Sequence, residues 1–306
     1  MDRNGRMKLL AALAALVLTG AAAPPALLLR EQAWTAPGKD LAHDLTHAPS
    51  ECLAEKTLEI EIGRALFRTP VLIGGPAARA GLSCHACHSN GGVNARFLLP
   101  ELTDRAGHAD VTSEWSSTVR GDGVLNPLPI PDLADVSQRT AFGHAHEPSL
   151  TTFVRSVIVE EFQGEPPPTQ AFEALIAYLR ALRREACPRT ETAITLHAAA
   201  EDVRRAVAAG HGAEQETARL LLLAGQDGIG RIVERLPSDR FADERTAFEA
   251  LARELGALRN ADDFNAAMTT ALPGWRARFD AAVERVGPHE ARTYFNEAAL
   301  RAALTR

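Results

Sequence analysis

The sequence predicts an all-α protein made of two units. Its 306 residues are about twice the length of a typical single domain. Apolar residues recur at helical spacing, because positions three or four apart lie on the same face of a helix. The clearest stripes comprise Phe172, Leu175, Ile176, Leu179 and Leu182, then Phe248, Leu251, Leu255 and Leu258, and then Trp275, Phe279, Ala282 and Val286. These stripes place helices in both halves of the chain.

The overall composition excludes some classes of protein. Hydrophobic residues make up 46% and charged residues 24% of the chain, as in a folded globular protein rather than a disordered one. The net charge of -6 argues against a nucleic-acid-binding surface, which would be basic. The four cysteines are too few to form a disulfide framework in a chain of this length, so they need a more specific explanation.

The N-terminal residues have the pattern of an export signal. Basic residues at positions 3, 6 and 8 precede an apolar run over residues 9–18, and small residues follow up to Pro24. This predicts a secretory signal peptide over residues 1–23, with cleavage after Ala22, and a periplasmic protein. The alternative is an uncleaved inner-membrane anchor, which Pro24 and Pro25 would interrupt. Residues 24–49 are predicted to form a linker.

The most informative segment is the C-x-x-C-H motif formed by Cys84, Cys87 and His88. Two thiols one helical turn apart can form thioethers with the two vinyl groups of a haem, and the adjoining imidazole can bind the iron. The motif therefore predicts one covalent haem c, attached through Cys84 and Cys87, with His88 as the proximal iron ligand. His85 is not required as a ligand and is expected to face solvent.

Two other interpretations use the same residues. A zinc site would need two further ligands at a recognisable spacing, and no second C-x-x-C or H-x-x-x-H follows the motif. A thioredoxin-like redox pair would need a surrounding β-α-β pattern, whereas the flanks are predicted to be helix, loop and helix. Export also favours haem, because c-type attachment takes place on the secretory side of the membrane. Covalent haem is therefore the favoured interpretation.

Two predicted helices frame the motif. The first has Ser50 as its N-cap and ends near Phe67. The second follows three prolines at positions 166–168, has Thr169 as its N-cap and carries the first apolar stripe. Together they predict a cytochrome c-like haem domain over residues 50–189, with their buried faces as the wall of the haem pocket.

Several segments of this domain match the pattern of a known family. The run I-G-R-A-L-F at 62–67, Pro70 and the run L-S-C-H-A-C-H at 82–88 are similar to L-G-K/R-x-L-F-x-D-P-x-L-S followed by S-C-x-x-C-H. Residues 131–154 are similar to P-x-L-x-x-V, Y-F-H-D-G and T-L-E-E-V segments in that order. Over residues 52–184 the chain thus resembles one haem domain of the bacterial di-haem cytochrome c peroxidases.

The sequence also departs from that family. Those enzymes carry two haem motifs, one haem receiving electrons and the other reacting with peroxide, whereas this chain has one. Its three methionines, at positions 1, 7 and 268, lie outside the predicted haem domain, so that domain offers no axial methionine. An alignment puts Glu160 at the place of that methionine, and Thr69 replaces the family's aspartate.

Three kinds of occupant remain for the sixth position on the iron. His144 or His146 is the favoured distal ligand, and bis-histidine ligation would give a low-spin iron of lower potential; either could instead hydrogen-bond a propionate or a carbonyl. A carboxylate, Glu160 or Glu161, is the weaker alternative, and His108 is expected to be exposed. An open position would let the iron bind peroxide, with a distal histidine as acid and base. Candidate partners for the haem propionates are Arg96, Arg120 and Arg139.

The other two cysteines lie at the two ends of the predicted haem domain. Cys52 is near the start of the first helix, and Cys187 follows the last one. The first and last helices of cytochrome-like domains cross, so these ends can approach and form a disulfide, which export permits. The alternative is two separate buried thiols.

Residues 190–306 are predicted to form an α-helical bundle of four to six short antiparallel helices. Breaks are predicted at residues 210–212 and 228–230, at Pro237 and Pro273, and at residues 287–288. This part of the sequence contains no repeat of fixed period and no catalytic motif. Its expected role is to cover the haem domain or to bind a partner.

The sequence thus predicts an exported mono-haem c-type cytochrome that transfers single electrons to and from a redox partner protein. One alternative is a peroxidase-like enzyme with an open iron, or one half of a two-chain peroxidase. Another is a haem-based ligand sensor in which the C-terminal helices respond to ligation. No nucleic-acid partner is expected, and any association with the inner membrane would run through the N-terminus.

Overall fold

The computed structural model describes residues 28–143, 146–187 and 191–305. Within these ranges the protein is mostly helical, in agreement with the predicted all-α class. The predicted signal peptide and His144 lie outside the described residues. No helix in the described ranges is both long and apolar enough to cross a membrane.

Eleven α-helices, four two-residue strands and seven short 3₁₀- or π-helical segments form the regular structure of the described ranges. The helices are α1 (Leu41–Asp44), α2 (Leu58–Phe67), α3 (Gly75–Arg79), α4 (Cys84–Cys87), α5 (Leu150–Ser156), α6 (Thr169–Ala181), α7 (Leu196–His211), α8 (Gln215–Glu234), α9 (Ala242–Arg259), α10 (Phe264–Val286) and α11 (Glu297–Leu304). Strand β1 (His47–Ala48) pairs antiparallel with β4 (Thr192–Ala193), and β2 (His108–Ala109) pairs antiparallel with β3 (Leu128–Pro129).

Helix α2 begins later than the sequence predicts. Its N-cap is Thr57, whose hydroxyl accepts a hydrogen bond from the backbone N–H of Ile60 at 3.3 Å. Ser50, the predicted N-cap, lies in an extended segment instead. That segment does not become helical because Leu53 forms an antiparallel bridge with Leu182, just beyond α6.

Helices α2 and α6 cross at a glycine. They enclose much of the core of the part of the chain that carries the C-x-x-C-H motif, residues 50–187, which is called the first domain below. Gly63 lies so close to the carbonyl of Ala174 that a Cβ atom there would overlap the oxygen. Helix α6 has Pro168 as its N-cap, so the predicted N-cap Thr169 is its first helical residue. The close crossing brings the two ends of the first domain together.

A disulfide joins those two ends, which confirms the predicted pairing of Cys52 with Cys187. The bonded residues are 135 positions apart in the sequence. Beside the disulfide, the backbone N–H of Arg183 donates to the carbonyl of Cys52 at 2.8 Å. The segment before α2 and the segment after α6 therefore run side by side.

Helices α7 to α10 form most of the C-terminal domain, each packed against the next in the chain. Three of the predicted breaks are confirmed, because α7 ends at His211, Pro237 separates α8 from α9, and α10 ends at Val286. The helices share one core that includes Phe248 and Trp275.

Two of the predicted breaks are wrong. Residues 228–230 lie inside α8, and Pro273 lies inside α10. Gly228 permits close helix packing rather than ending a helix, because a Cβ atom there would press on the side chain of Val203 in α7. A glycine in the sequence does not show which of these two roles it has.

Residues 28–49, predicted as part of a linker, instead pack against both domains, and Trp34 is buried with Leu82 and Phe97 of the first. Leu29, Ala42 and Leu45 are buried in one cluster with Leu300 of α11. Arg30 forms ion pairs with two acidic side chains of α8. The segment is therefore part of the folded body, held there by contacts distant in sequence.

The two domains also share a core at their junction. Ala206 and Ala209 of α7 and Leu221 of α8 are buried in the cluster that contains α2 and α6. The C-terminal domain thus covers the side of α2 that the rest of the first domain leaves open.

Candidate functional site

Helix α4 is a single turn that carries both cysteines of the motif. Cys84 and Cys87 are its first and last residues, so their side chains lie one turn apart on one face. Both are half-buried free thiols, and both line a large internal cavity. Burial raises the pKa of the Cys84 thiol to about 12 and also raises the pKa of Cys87. This argues against a thioredoxin-like pair, whose reactive thiol needs a lowered pKa.

His88 directly follows α4, and the backbone orients its ring. Its Nδ1 lies 2.9 Å from the carbonyl oxygen of Pro131. Because a carbonyl oxygen only accepts hydrogen bonds, Nδ1 carries the proton and Nε2 keeps a lone pair. Burial lowers the pKa of His88 to about 4, so the imidazole is neutral at physiological pH. This tautomer, with one nitrogen donating to a carbonyl, is the form in which histidine binds metals.

The cavity beside the motif has a volume of about 760 Å³. Its size falls within the roughly 300–1,000 Å³ of pockets that hold small molecules and cofactors. Most of its wall is apolar, and Phe142 and Phe153 stack in it with ring centroids 5.9 Å apart. A covalently attached haem requires two thiols, an imidazole that can bind iron and an apolar cavity. The residues of this site therefore fit a haem.

A π-helical turn supplies the polar part of the cavity wall. Helix α5 continues into a π-helix over Val157–Glu161, which brings Glu160 and Glu161 to the wall. Arg120 donates hydrogen bonds to Glu160 at 2.7 Å, to Glu161 at 2.9 Å and to the Ser156 hydroxyl at 2.6 Å. Single π turns inside α-helices are frequent at functional sites.

Glu161 has unusual properties among the carboxyl groups of this wall. It is only 4% exposed, and burial raises its pKa to about 7 despite the nearby Arg120 guanidinium. Its Oε1 accepts a hydrogen bond from Arg120, whereas its Oε2 has no hydrogen-bond partner among the described residues. A carboxyl group with this pKa can both hold and release a proton near neutral pH.

His146, one of the two predicted distal histidines, is not among the residues that line the cavity. His146 is exposed, with a left-handed backbone φ of 52°. Gly143 and Glu147, which precede and follow it in the chain, do line the cavity. His144 lies outside the described residues. Ligation by His144 or His146 therefore stays a prediction.

The remaining predicted residues divide into two groups. Glu160, Arg120 and Arg139 line the cavity, although Glu160 already accepts hydrogen bonds from Arg120. His108 and Arg96 lie elsewhere: the His108 ring is 3.1 Å from a backbone carbonyl two residues away, and Arg96 pairs with Asp44 at 3.0 Å. Arg120 and Arg139 are thus the two arginines of the predicted set that lie on the cavity wall, and Arg120 is already paired there with two glutamates.

His85 does not face solvent, contrary to the prediction. It is half-buried, and its Nδ1 accepts a hydrogen bond from the backbone N–H of Asn90 at 3.1 Å. Burial and the charges of Arg68 and Arg231 lower the pKa of His85 well below its ordinary value. His85 is shielded from bulk solvent because its face of α4 borders two cavities, of about 280 and 320 Å³, that are lined by residues of both domains.

One of these cavities adjoins a buried ion-pair network that the sequence did not indicate. The Glu51 carboxylate accepts hydrogen bonds from Arg64 at 2.8 Å, from Arg68 at 2.9 Å and from the Tyr178 hydroxyl at 2.8 Å. Burial acts to raise the pKa of Glu51, but the Arg68 and Arg64 guanidiniums hold it well below its usual range. Arg64 also pairs with Asp202 of α7 at 2.6 Å, so the network crosses to the C-terminal domain.

Comparisons with known proteins add nothing to this geometry. No sequence model of a protein family, no curated protein and no solved structure matches the chain. The function is therefore argued from the cavity and its residues.

Proposed function

We propose that this chain is an exported mono-haem c-type cytochrome that resembles one haem domain of a di-haem cytochrome c peroxidase and transfers single electrons. The observation that supports this most is the orientation of His88, whose Nδ1 is held by the Pro131 carbonyl at 2.9 Å. This contact leaves Nε2 free to bind the iron of a haem attached through Cys84 and Cys87. When bound, the haem supplies one-electron chemistry, since its iron cycles between the ferric and ferrous states.

The chain's own residues set the conditions for that chemistry. The Pro131 carbonyl fixes the ring of His88 and increases its basicity as a ligand. The aromatic side chains of the wall, including Phe67, give the cavity an apolar lining. Arg139 provides positive charge at the wall for a propionate, and Arg120, which is already paired with two glutamates, lies on the same wall. The potential of such a site depends on these ligands, charges and burial.

Covalent attachment is tested by the pattern of cysteine substitutions. The protein is produced with its export signal in cells that mature c-type cytochromes, and haem is stained on a denaturing gel. Cys84→Ala combined with Cys87→Ala should abolish the stain. The matched control, Cys52→Ala combined with Cys187→Ala, removes two other cysteines and should keep it. Stain that survives the first pair of substitutions would refute the proposal.

The role of His88 is tested by comparing its substitution with that of His85, the other histidine of the motif. His88→Ala should change the absorption and paramagnetic resonance spectra of the ferric protein, because the proximal imidazole is lost. His85→Ala should leave the ligand set unchanged, since the His85 ring lines a different cavity. Equal spectral changes in both variants would contradict the assignment.

A second candidate function is supported by Glu161 and Arg120. A buried carboxyl group with a pKa near neutrality, beside a guanidinium and on the cavity wall, is suited to moving a proton between the two oxygens of a peroxide. This arrangement favours a peroxidase-like enzyme. Glu161→Gln should then lower the rate of peroxide reduction by about 10²- to 10⁴-fold, whereas Glu165→Gln, an exposed change in the following loop, should not.

The spin state of the ferric haem decides between the two functions. A low-spin, six-coordinate signal that peroxide and cyanide leave unchanged indicates an electron carrier. A high-spin signal that shifts with peroxide indicates an open iron and the peroxidase-like function. In the first case, substitution of both His144 and His146 by Ala should convert the signal to high spin, and an unchanged spectrum would remove both as ligands.

A further inference from the structure

Two histidines and two glutamates meet on the side of the molecule where the N-terminal segment contacts α11. His43 lies in α1, and His47 follows four residues later at the start of β1. Their rings stack with centroids 4.0 Å apart. Glu297 of α11 and Glu191, before β4, reach His43 from two other parts of the chain. None of these residues lines the large cavity beside the C-x-x-C-H motif.

The ring of His47 is oriented by acceptor groups on one side. Its Nδ1 lies 3.3 Å from the carbonyl oxygen of His43 and 3.2 Å from the hydroxyl oxygen of Thr46. The Thr46 hydroxyl already donates its proton to the carbonyl of Ala42 at 2.7 Å, so towards His47 it accepts. Nδ1 of the neutral ring therefore carries the proton, and Nε2 has a free lone pair.

His43 is held between two carboxylates. Its Nδ1 lies 3.2 Å from Oε2 of Glu297, and its Nε2 lies 3.1 Å from Oε2 of Glu191. The other carboxylate oxygen of Glu297, Oε1, accepts a hydrogen bond from Arg301 at 2.6 Å. Arg301 therefore fixes the carboxylate and leaves Oε2 directed at the histidine pair.

We propose that His43, His47 and Glu297 bind a divalent transition-metal ion, with Zn²⁺ as the representative. One ligand atom from each residue lies within 4.8 Å of the others. The 3.2 Å between Nδ1 of His43 and Oε2 of Glu297 is close to the spacing of about 3.3 Å between two ligands of a tetrahedral zinc ion. Water completes the fourth position, as in other sites with three protein ligands.

Glu191 has a supporting role in this site. With Nδ1 of His43 on the metal, Nε2 donates its proton to Glu191, which gives the carboxylate–histidine–metal arrangement. The ligands come from the N-terminal segment and from the last helix, and Leu29, Ala42 and Leu300 are buried between these two parts. Bound metal therefore clamps the N-terminal segment to the end of the C-terminal domain.

The test measures binding of Zn²⁺ alone to the full chain in equilibrium dialysis. The Cys84→Ala, Cys87→Ala, His88→Ala background serves as a second preparation, because free thiols of the C-x-x-C-H motif would also bind zinc. In the triple variant we expect one Zn²⁺ per chain and a higher midpoint of thermal unfolding with Zn²⁺, and in the parent the same site in addition to any zinc that the motif's free thiols hold. His47→Gln and Glu297→Gln should each weaken binding at least about a hundredfold, and Glu191→Gln about tenfold.

A matched control and a folding check make the outcome decisive. His289→Gln changes an exposed histidine outside the cluster and should bind zinc as the parent does. The metal-free variants should melt within a few degrees of the parent, which shows that the fold survives the substitutions. Absence of zinc binding at micromolar concentration would overturn the proposal. Equal binding by the parent, His47→Gln and Glu297→Gln would also overturn it, and would indicate adventitious zinc elsewhere.

Discussion

Arg205 of α7 donates two hydrogen bonds to the carboxylate of Glu61 on α2, and both are 2.6 Å long. The pair joins the two domains beside their shared core, and each side chain is only 18% exposed. Its paired geometry and partial burial make it stronger than a surface ion pair. It is therefore the contact on which the junction of the domains can be tested most directly.

Glu61→Gln should lower the free energy of unfolding by about 1–3 kcal/mol, because the guanidinium loses its charged partner in a partly buried site. Denaturant unfolding of the full chain measures the effect. Glu59→Gln, an exposed change on the same helix, is the control and should be neutral. Equal stability of the two variants would show that the ion pair does not hold the junction.

Gly63→Ala should destabilise the first domain by about 1–3 kcal/mol or more, since a Cβ atom there overlaps the Ala174 carbonyl and would force α2 away from α6. Gly287→Ala is the matched control, because nothing lies within 4 Å of a Cβ atom at that position. Thermal unfolding should show a lower midpoint for the first variant only. A neutral Gly63→Ala would contradict the close helix crossing.

The disulfide predicts a definite number of free thiols. When the protein is unfolded without a reducing agent, the haem-free chain should contain two free thiols, those of Cys84 and Cys87. The haem-loaded chain should contain no free thiol. Finding four in the haem-free chain would exclude the Cys52–Cys187 bond. Cys52→Ala combined with Cys187→Ala should cost about 2–5 kcal/mol of stability, since the bond closes a long loop.

The raised pKa of Glu161 predicts that the stability of the protein depends on pH. Its carboxyl group titrates at 4.5 when unperturbed and at about 7 in the folded chain, where burial favours the neutral form. Between these values the folded state binds more protons than the unfolded state, so the free energy of unfolding falls as the pH rises and levels off above the folded pKa. The total change attributable to this group is about 3 kcal/mol.

Denaturant unfolding at a series of pH values measures this slope. Glu161→Gln cannot titrate, so its stability should fall less steeply over the same interval. Glu165→Gln, in the exposed loop that follows, should keep the parent's slope. An identical slope in the parent and in Glu161→Gln would show that the carboxyl group is not shifted.

Local signals in the sequence were sufficient for much of the fold. The apolar stripe from Phe172 to Leu182 locates α6 to within a residue at its start, because it combines a helical period with a preceding proline. The motif itself places Cys84, Cys87 and His88 on one turn. The boundaries were predicted less well, such as the start of α2, where a bridge between Leu53 and Leu182, just beyond α6, prevents helix formation.

The parts of the site that depend on distant contacts could not be predicted. Nothing in the sequence connects Pro131 with His88, since the contact is between a backbone carbonyl and a ring 43 residues away. Glu161 was only a weak candidate for a different role, because its raised pKa arises from burial in a π turn. Proximity of this kind is a product of the tertiary fold.

The side chains of the single-turn helix α4 lie on two different sides of the helix. Cys84 and Cys87 line the large cavity, whereas His85 borders the cavities at the domain junction. Each residue of an α-helix turns the chain by about 100°, so one inserted residue would rotate a thiol away from the large cavity. It would also move His85 from its contact with Asn90. The two-residue spacing is thus constrained from both sides. A variant with a longer spacer would disturb the contacts of His85 at the junction of the domains as well as the proposed attachment of haem.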